Sequence, residues 1–203
     1  MQKNNPSIFE KNFKKNSIVN SNSIIIEPFK RTDMPLVQEI IQQNIKPFLG
    51  SSSMLAATFR RLKTLGKSYQ EEGCQLLVAR RQLSYESDIA GCIGLGPLHG
   101  LSPTEGFGEI HDFIVKPEFR KQGIGSKLLN DCLEQAANFK YRRLYLETTQ
   151  DMAPACTLFL RSGFRPVTSK SLKKKKQIKP KLDNPLQTKD NLPCYFLLEN
   201  LQT

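Results

Sequence analysis

Arg120, Lys121, Gly123 and Gly125 are spaced to receive an anion. The first turn of an α-helix has backbone N–H groups without intrahelical partners and carries roughly half a positive charge. Glycines just before such a turn remove the side chains that would block a phosphate, and Arg120 and Lys121 add charge. The flanking residues supply the elements that this chemistry needs. Ile110 to Val115 is apolar and rich in β-branched and aromatic residues, as a strand should be, and Pro117 ends it because proline cannot donate to a sheet ladder. From Ile124 onward Ile124, Leu128, Leu129, Cys132, Leu133, Ala136 and Ala137 recur on one helical face. The expected pyrophosphate cradle is therefore Arg120, Lys121, Gln122, Gly123, Ile124, Gly125 and Ser126.

Several motifs compete for this loop. A dinucleotide fingerprint needs a third glycine where Leu128 stands. A P-loop needs Gly-Lys-Ser/Thr, and Gly125-Ser126-Lys127 breaks that order. The plain alternative is an ordinary strand-to-helix turn. Arg120-x-x-Gly123-x-Gly125, following a strand that ends Val115-Lys116-Pro117, resembles the acetyl-CoA loop of the GNAT superfamily of N-acetyltransferases. A second stretch is similar to the same family. The strand Leu144 to Thr149 leads to Ala155, Leu158, Phe159, Gly163 and Phe164, which match an Ala-x-x-Leu-Tyr-x-x-x-Gly-Phe pattern. The motif-level match covers roughly residues 108–167, and the order of elements agrees from about Ser23 to Asn200.

The resemblance implies a mixed α/β (α+β) fold, with a central, mostly antiparallel sheet of about seven strands and about four flanking helices. Two neighbouring parallel strands would splay apart, with pantetheine in the gap against Ile114 and Val115 and the acyl end near Met152, Ala155 and Phe159. Two departures stand out: Met152 where the family often has Asn, and Phe159 where it has a Tyr proposed as general acid, since Phe cannot donate a proton. The chemistry softens the second departure, because a thiol of pKa near 8.5 leaves well as a thiolate, whereas an alkyl ammonium of pKa near 10.4 needs a base. Glu109 is the candidate base, because some family members place a catalytic Glu there, and a carboxylate among apolar neighbours suits the task. Alternation puts Glu109, His111, Phe113 and Val115 on one face, which makes His111 the second candidate, while Asp112 points away as a structural residue. Tyr145, Tyr195 and Cys156 are proton donors among which the residues do not choose.

The rest of the chain reads as supports for this unit. Ser23 to Phe29 is a strand, and a helix capped at Thr32 or Asp33 buries Leu36, Val37, Ile40, Ile41 and Ile45. A second helix points Met54, Leu55, Phe59, Leu62 and Leu65 inward. Gln75 to Arg81 and Ile89 to Leu95 form a hairpin around a polar turn at Ser84 to Asp88. Gly91, Gly94 and Gly96 read as bulges and close packing beside a groove, because no helix start follows to make an anion site. Pro97 to Gly106 is a loop carrying His99. Arg143 to Thr148, a helix from Met152 to Ser162 stopped by Gly163, and strands Phe164 to Val167 and Cys194 to Asn200 complete the order.

Composition bounds the function. A chain of 203 residues with 38% hydrophobic content suits one domain with a normal core. The five cysteines have no paired spacing and no zinc pattern, and the N-terminus lacks an apolar signal segment, so reduced thiols and a cytoplasmic location are expected. Residues 1–22 hold four Lys and one Glu, and residues 168–193 hold eight Lys and two Asp, so only +2 of the net +11 belongs to the rest. The charge thus sits in a polar tail (1–22), expected to be disordered, and in a Lys-rich insert (168–193) within a single domain at 23–203, and a nucleic-acid-reading domain is disfavoured. The unbroken Lys173–Lys176 run reads as a solvated loop, with docking to anionic lipid, nucleic acid or an acidic protein as the sharper alternative. The expected function is transfer of an acetyl group from acetyl-CoA to a primary amine by direct attack in a ternary complex. A non-catalytic acyl-CoA-binding module is the alternative, and a homodimer is an oligomeric state left open.

Overall fold

The computed structural model describes residues 23–45, 62–82, 87–149, 152–167, 193–199 and 201. The tail 1–22, Met54, Leu55 and Phe59 of the expected second helix, the hairpin turn at 83–86, and residues 168–192 with Lys173–Lys176 lie outside the described residues.

Strands β1 (Ile24–Pro28), β2 (Gln75–Gln82), β3 (Ser87–Pro97), β4 (Phe107–Val115), β5 (Arg143–Thr149), β6 (Arg165–Val167) and β7 (Pro193–Glu199) form one sheet. Its order is β1-β2-β3-β4-β5-β7-β6. Every neighbouring pair is antiparallel except β4 and β5. Helix α1 (Met34–Ile45) and helix α2 (62–68) cover one face, and α3 (Ile124–Asn138) and α4 (Ala153–Arg161) cover the other. The mixed fold with its parallel pair is the architecture expected from the sequence. Boundaries shift slightly: β4 begins at Phe107, before Ile110, and Pro193 belongs to β7 and not to the insert.

The two cores follow from side-chain period. Leu77 and Ala79 of β2 face α3, while Leu76 and Val78 face α1, so a continuous apolar run is covered on both sides. In α3, Ile124, Leu128, Leu129, Cys132 and Ala136 are buried, the stripe expected from their spacing. Val37, Ile40 and Ile41 of α1 close on Leu62 and Leu65 of α2. Tyr141, just past α3, is fully buried and donates its hydroxyl to the Gly73 carbonyl at 2.9 Å, joining the end of α3 to the turn before β2.

A buried cation fixes the start of α1 on the sheet. Arg80 of β2 is 9% exposed and bonds Asp33 at 2.8 Å and Glu27 of β1 at 2.5 Å. Asp33 also accepts the Lys30 N–H at 2.9 Å, so one side chain caps the helix entry and neutralises Arg80. The Arg80 hydrogen bond, with help from Lys30, holds the Glu27 carboxyl below its ordinary value of 4.5 against the opposing effect of burial. Removing one member of such a group strands the others in a low-dielectric site. We therefore expect Arg80→Met to lower unfolding stability by about 3 kcal/mol, the low end for a broken buried pair because Glu27 keeps some solvent contact. A depressed carboxyl stabilises the fold above its ordinary value and loses that contribution as pH falls through the folded value. Denaturant titrations should show stability falling below about pH 4.5, and a shallower fall in Glu27→Gln.

Candidate active site

β4 carries one residue more than β3 in the middle of their pairing. Gly94 pairs with His111 and Cys92 with Ile114, so Ile93 stands opposite both Asp112 and Phe113. Asp112 takes the extra turn with φ of 47°, a left-handed conformation that non-glycine residues rarely adopt. Tyr69 and Cys92 help to hold it there. The Tyr69 hydroxyl donates to Asp112 Oδ2 at 2.8 Å, and the Cys92 thiol donates to the Asp112 carbonyl at 3.3 Å. Gly94 leaves room for the Tyr69 hydroxyl, and a methyl on Gly91 would stand 2.5 Å from the Ile114 carbonyl oxygen. Reading Gly91 and Gly94 as bulge and close-packing positions matches this geometry.

This bulge corrects the expected alternation. Glu109 and His111 share a face, but Phe113 and Val115 turn to the opposite one and pack with α3, while Ile114 joins the α1 side. An inserted residue reverses the facing of everything after it. Asp112, expected to point away from that pair, instead gives its carboxylate to Tyr69, which lies over Gly94, the register partner of His111.

Past the bulge the sheet opens. β4 and β5 pair from Phe107↔Arg143 to Ile110↔Leu146 and no further, whereas β5 stays paired with β7 up to Thr149↔Pro193. His111 to Val115 therefore have no β5 partner and are half-buried along a cleft. The cleft floor is aromatic. Phe113 lies 5.7 Å from Phe159, which in turn touches Phe164 and Phe196 at 5.8 Å each. Phe159 is 3% exposed, so it supports Phe113 from beneath. Met152 and Ala155 are half-buried at the start of α4, with Ala155 packed against the same core.

The glycine loop sits at the end of β4. Lys121 (φ 59°) and Gly123 (φ 79°) are both left-handed. The first backbone bond across the helix start runs from Lys127 N–H to the Gly123 carbonyl at 3.0 Å. Among the described residues the N–H groups of Gln122, Gly123, Ile124, Gly125 and Ser126 have no acceptor. A Cβ on Gly123 would meet nothing within 4 Å, so the loop is open at that position. Gly125 fits between Phe113, Val115 and Leu158. Arg120 is anchored by its Nε to the Val115 carbonyl at 3.0 Å and by Nη2 to Asn44 of α1 at 3.1 Å, tying the loop to both strand and helix. This donor set fits a pyrophosphate.

The other side of β4 carries the titratable groups. Glu109 is 8% exposed beneath the turn after β3. Its Oε2 accepts the His99 N–H at 3.4 Å, and its Oε1 lies 3.6 Å from His111 Nδ1. Tyr145, the β5 register partner of Glu109, stacks on Tyr195 with centroids 6.1 Å apart. The Tyr145 hydroxyl is buried and has no hydrogen-bond partner among the described residues. Burial, then the charges of Glu147 and Glu109, hold it protonated far above an ordinary phenol. Burial likewise raises Tyr195, so neither phenol is a ready proton donor. Cys156 is half-buried on α4.

The fold thus brings together two groups of expected residues: the Arg120–Ser126 loop with Ile114 and Val115, and the Glu109–His111 pair. Tyr69, Asn44 and the His99 N–H were not expected to contribute. Their only sequence signal is polarity inside an otherwise apolar helix or beside a glycine, which spacing does not distinguish from surface.

Residues 48–164 match the model of a family described as the acetyltransferase (GNAT) family. A relative named uncharacterized N-acetyltransferase YjgM, from Escherichia coli strain K12, is 27% identical over 133 residues, covering 65% of this chain and 76% of the relative. An acetyltransferase of the GNAT family from Staphylococcus aureus Mu50 superposes with a TM-score of 0.66 at 20% identity, covering 89% of this chain and all (100%) of the other. The yncA protein of Salmonella typhimurium, solved with its cofactor acetyl-CoA, superposes with a TM-score of 0.61 at 17% identity, covering 88% and 94% of the two chains. At these identities the structures speak for the fold.

The bulge makes a direct prediction. Gly91→Val should drive a side chain into the Ile114 carbonyl and lower stability by about 1–3 kcal/mol, the usual cost of overpacking, as read by chemical denaturation. An unchanged midpoint would contradict the close approach.

Proposed function

We propose, for a chain that belongs to the acetyltransferase (GNAT) family, that it transfers the acetyl group of acetyl-CoA to a primary amine by direct attack in a ternary complex. It is an acetyltransferase, and acetyl-CoA is its donor. One observation carries the reading: the parting of β4 and β5 leads straight to a helix start whose N–H groups lack acceptors among the described residues. In this reading Gln122 to Ser126 hold the pyrophosphate through their backbone, Arg120 and Lys121 add charge, and the free edge of β4 near Ile114 and Val115 receives the pantetheine. Phe113, backed by Phe159, and Met152 and Ala155 border the acyl end. Acetyl-CoA supplies an activated thioester there.

The acceptor comes from the Glu109 side. The Glu109–His111 pair removes a proton from the bound ammonium, which frees a lone pair for attack. Phe159 supplies no proton, and the buried Tyr145 is poorly suited to do so. The thiol of coenzyme A needs little help, since a group of pKa near 8.5 leaves as a thiolate. The acceptor is a small molecule, a peptide or a protein amine. The same reading takes 23–203 as one catalytic domain in the cytoplasm, in keeping with Cys74, Cys92, Cys132 and Cys156, which form no disulfide among the described residues. No helix of the described residues is long and apolar enough to cross a membrane.

Two measurements check it. Calorimetric titration with acetyl-CoA should show micromolar binding that Arg120→Glu/Gly123→Glu abolishes. A screen of primary amines should find an acceptor whose turnover falls at least about a hundredfold in Glu109→Gln/His111→Gln, the range for loss of general base catalysis, with acetyl-CoA affinity retained. Intact turnover in that double variant would remove both residues from the mechanism.

A further inference from the structure

Glu109 and His111 meet the cleft differently. The Glu109 side chain is 10% exposed and that of His111 27%. Both carboxylate oxygens are engaged, Oε2 with the His99 N–H and Oε1 facing His111 Nδ1. His111 Nε2 has no partner among the described residues. Gly96 keeps the space before it clear, since a methyl there would stand 3.7 Å from Nε2 and 3.2 Å from Cys74 Sγ. His111 is also the first β4 residue beyond the last β5 pair, so it stands where the strands part.

We propose that His111 Nε2 takes the proton from the acceptor amine, and that Glu109 is a positioning residue that holds the ring through Nδ1. The inference rests on the acetyl-transfer reading and divides the work within its base. A neutral imidazole has one N–H. A carboxylate facing Nδ1 draws the proton to that nitrogen and leaves the Nε2 lone pair free. The 3.6 Å separation shortens to a hydrogen bond with a small ring rotation, and catalytic bonds are often long before substrate arrives. Glu109 acting directly would have to do so from the less exposed side chain, with both oxygens already engaged.

Tyr69, bonded to Asp112, lies over Gly94, the register partner of His111. The Cys74 thiol is kept protonated by burial and then by Glu71. On β5 the residues of this face are Arg143, Tyr145 and Glu147. Arg143 is the cation among them, and it lies over the Phe107 ring, 3.5 Å from Glu199. In the reaction the C–N bond forms as the C–S bond breaks and the sulfur leaves with the bonding pair. Of the three ammonium protons, one goes to Nε2 and on to solvent, one neutralises the thiolate, and one stays on the amide.

The sequence has only two histidines, so nitrogen NMR of the full chain can assign them with His99→Gln. In neutral His111 the proton should reside on Nδ1, and Glu109→Leu should move it to Nε2. With the best amine of the screen, His111→Gln should lower kcat about 10²–10⁴-fold and remove the acid limb of the pH–rate profile, leaving KM for acetyl-CoA unchanged. Glu109→Leu should lower kcat less and keep the limb. A wild-type Nε2–H tautomer overturns the assignment. So does near-normal kcat in His111→Gln beside a dead Glu109→Leu, which would make the carboxylate the base. Absence of wild-type turnover on every amine, despite acetyl-CoA binding, instead defeats the acetyl-transfer reading and takes the base with it.

Discussion

The extra residue at Asp112 is the constraint on which the rest depends. A strand with an unbroken period of two would keep Glu109, His111, Phe113 and Val115 on one face, with no break in its facing at the point where β5 departs. One residue in a left-handed turn reverses the facing, so the polar pair looks to one side and the aromatic floor to the other. It also falls beside the end of the β4–β5 pairing at Ile110↔Leu146. A bulge adds local twist and interrupts the ladder, and beyond it the β4 edge is left without a β5 partner. Its geometry is supported from the turn just past α2 by Tyr69 and from β3 by Cys92, Gly91 and Gly94. Chemistry on one strand is therefore held by the packing of three elements.

The cleft is rigid on one side and open on the other. Phe159, Phe164 and Phe196 make a buried aromatic support under Phe113, and offset rings of this kind contribute about 0.5–1.5 kcal/mol per pair beyond area burial. The glycine loop is instead exposed and turned by two left-handed residues, with its orientation set by Arg120. The Arg80–Asp33–Glu27 group fixes α1, and Asn44 near the end of α1 steadies the loop. A side chain in β2 is thereby linked, through one helix, to the glycine loop.

Much of this was legible in the residues. The glycine spacing, Pro117 and the stripe from Ile124 predicted the loop and α3, and β-branched runs placed most strands within a few residues, because these signals are local. The facing of Phe113 and Val115 is not legible there, since Asp112 resembles any polar residue in an alternating strand and only the β3 register reveals the insertion. The role of Asn44 depends on Arg120, 76 positions away, and spacing holds no trace of it. Phe159 read as a lost proton donor, whereas its packing makes it the underside of the floor.

Amide hydrogen exchange, with and without acetyl-CoA, tests the central claim most directly, because it reads backbone donors in the cleft and loop together. The account predicts slowed exchange confined to residues around Ile114 and Val115 and to Gln122–Ser126. Protection elsewhere, or none at saturating acetyl-CoA, would contradict it.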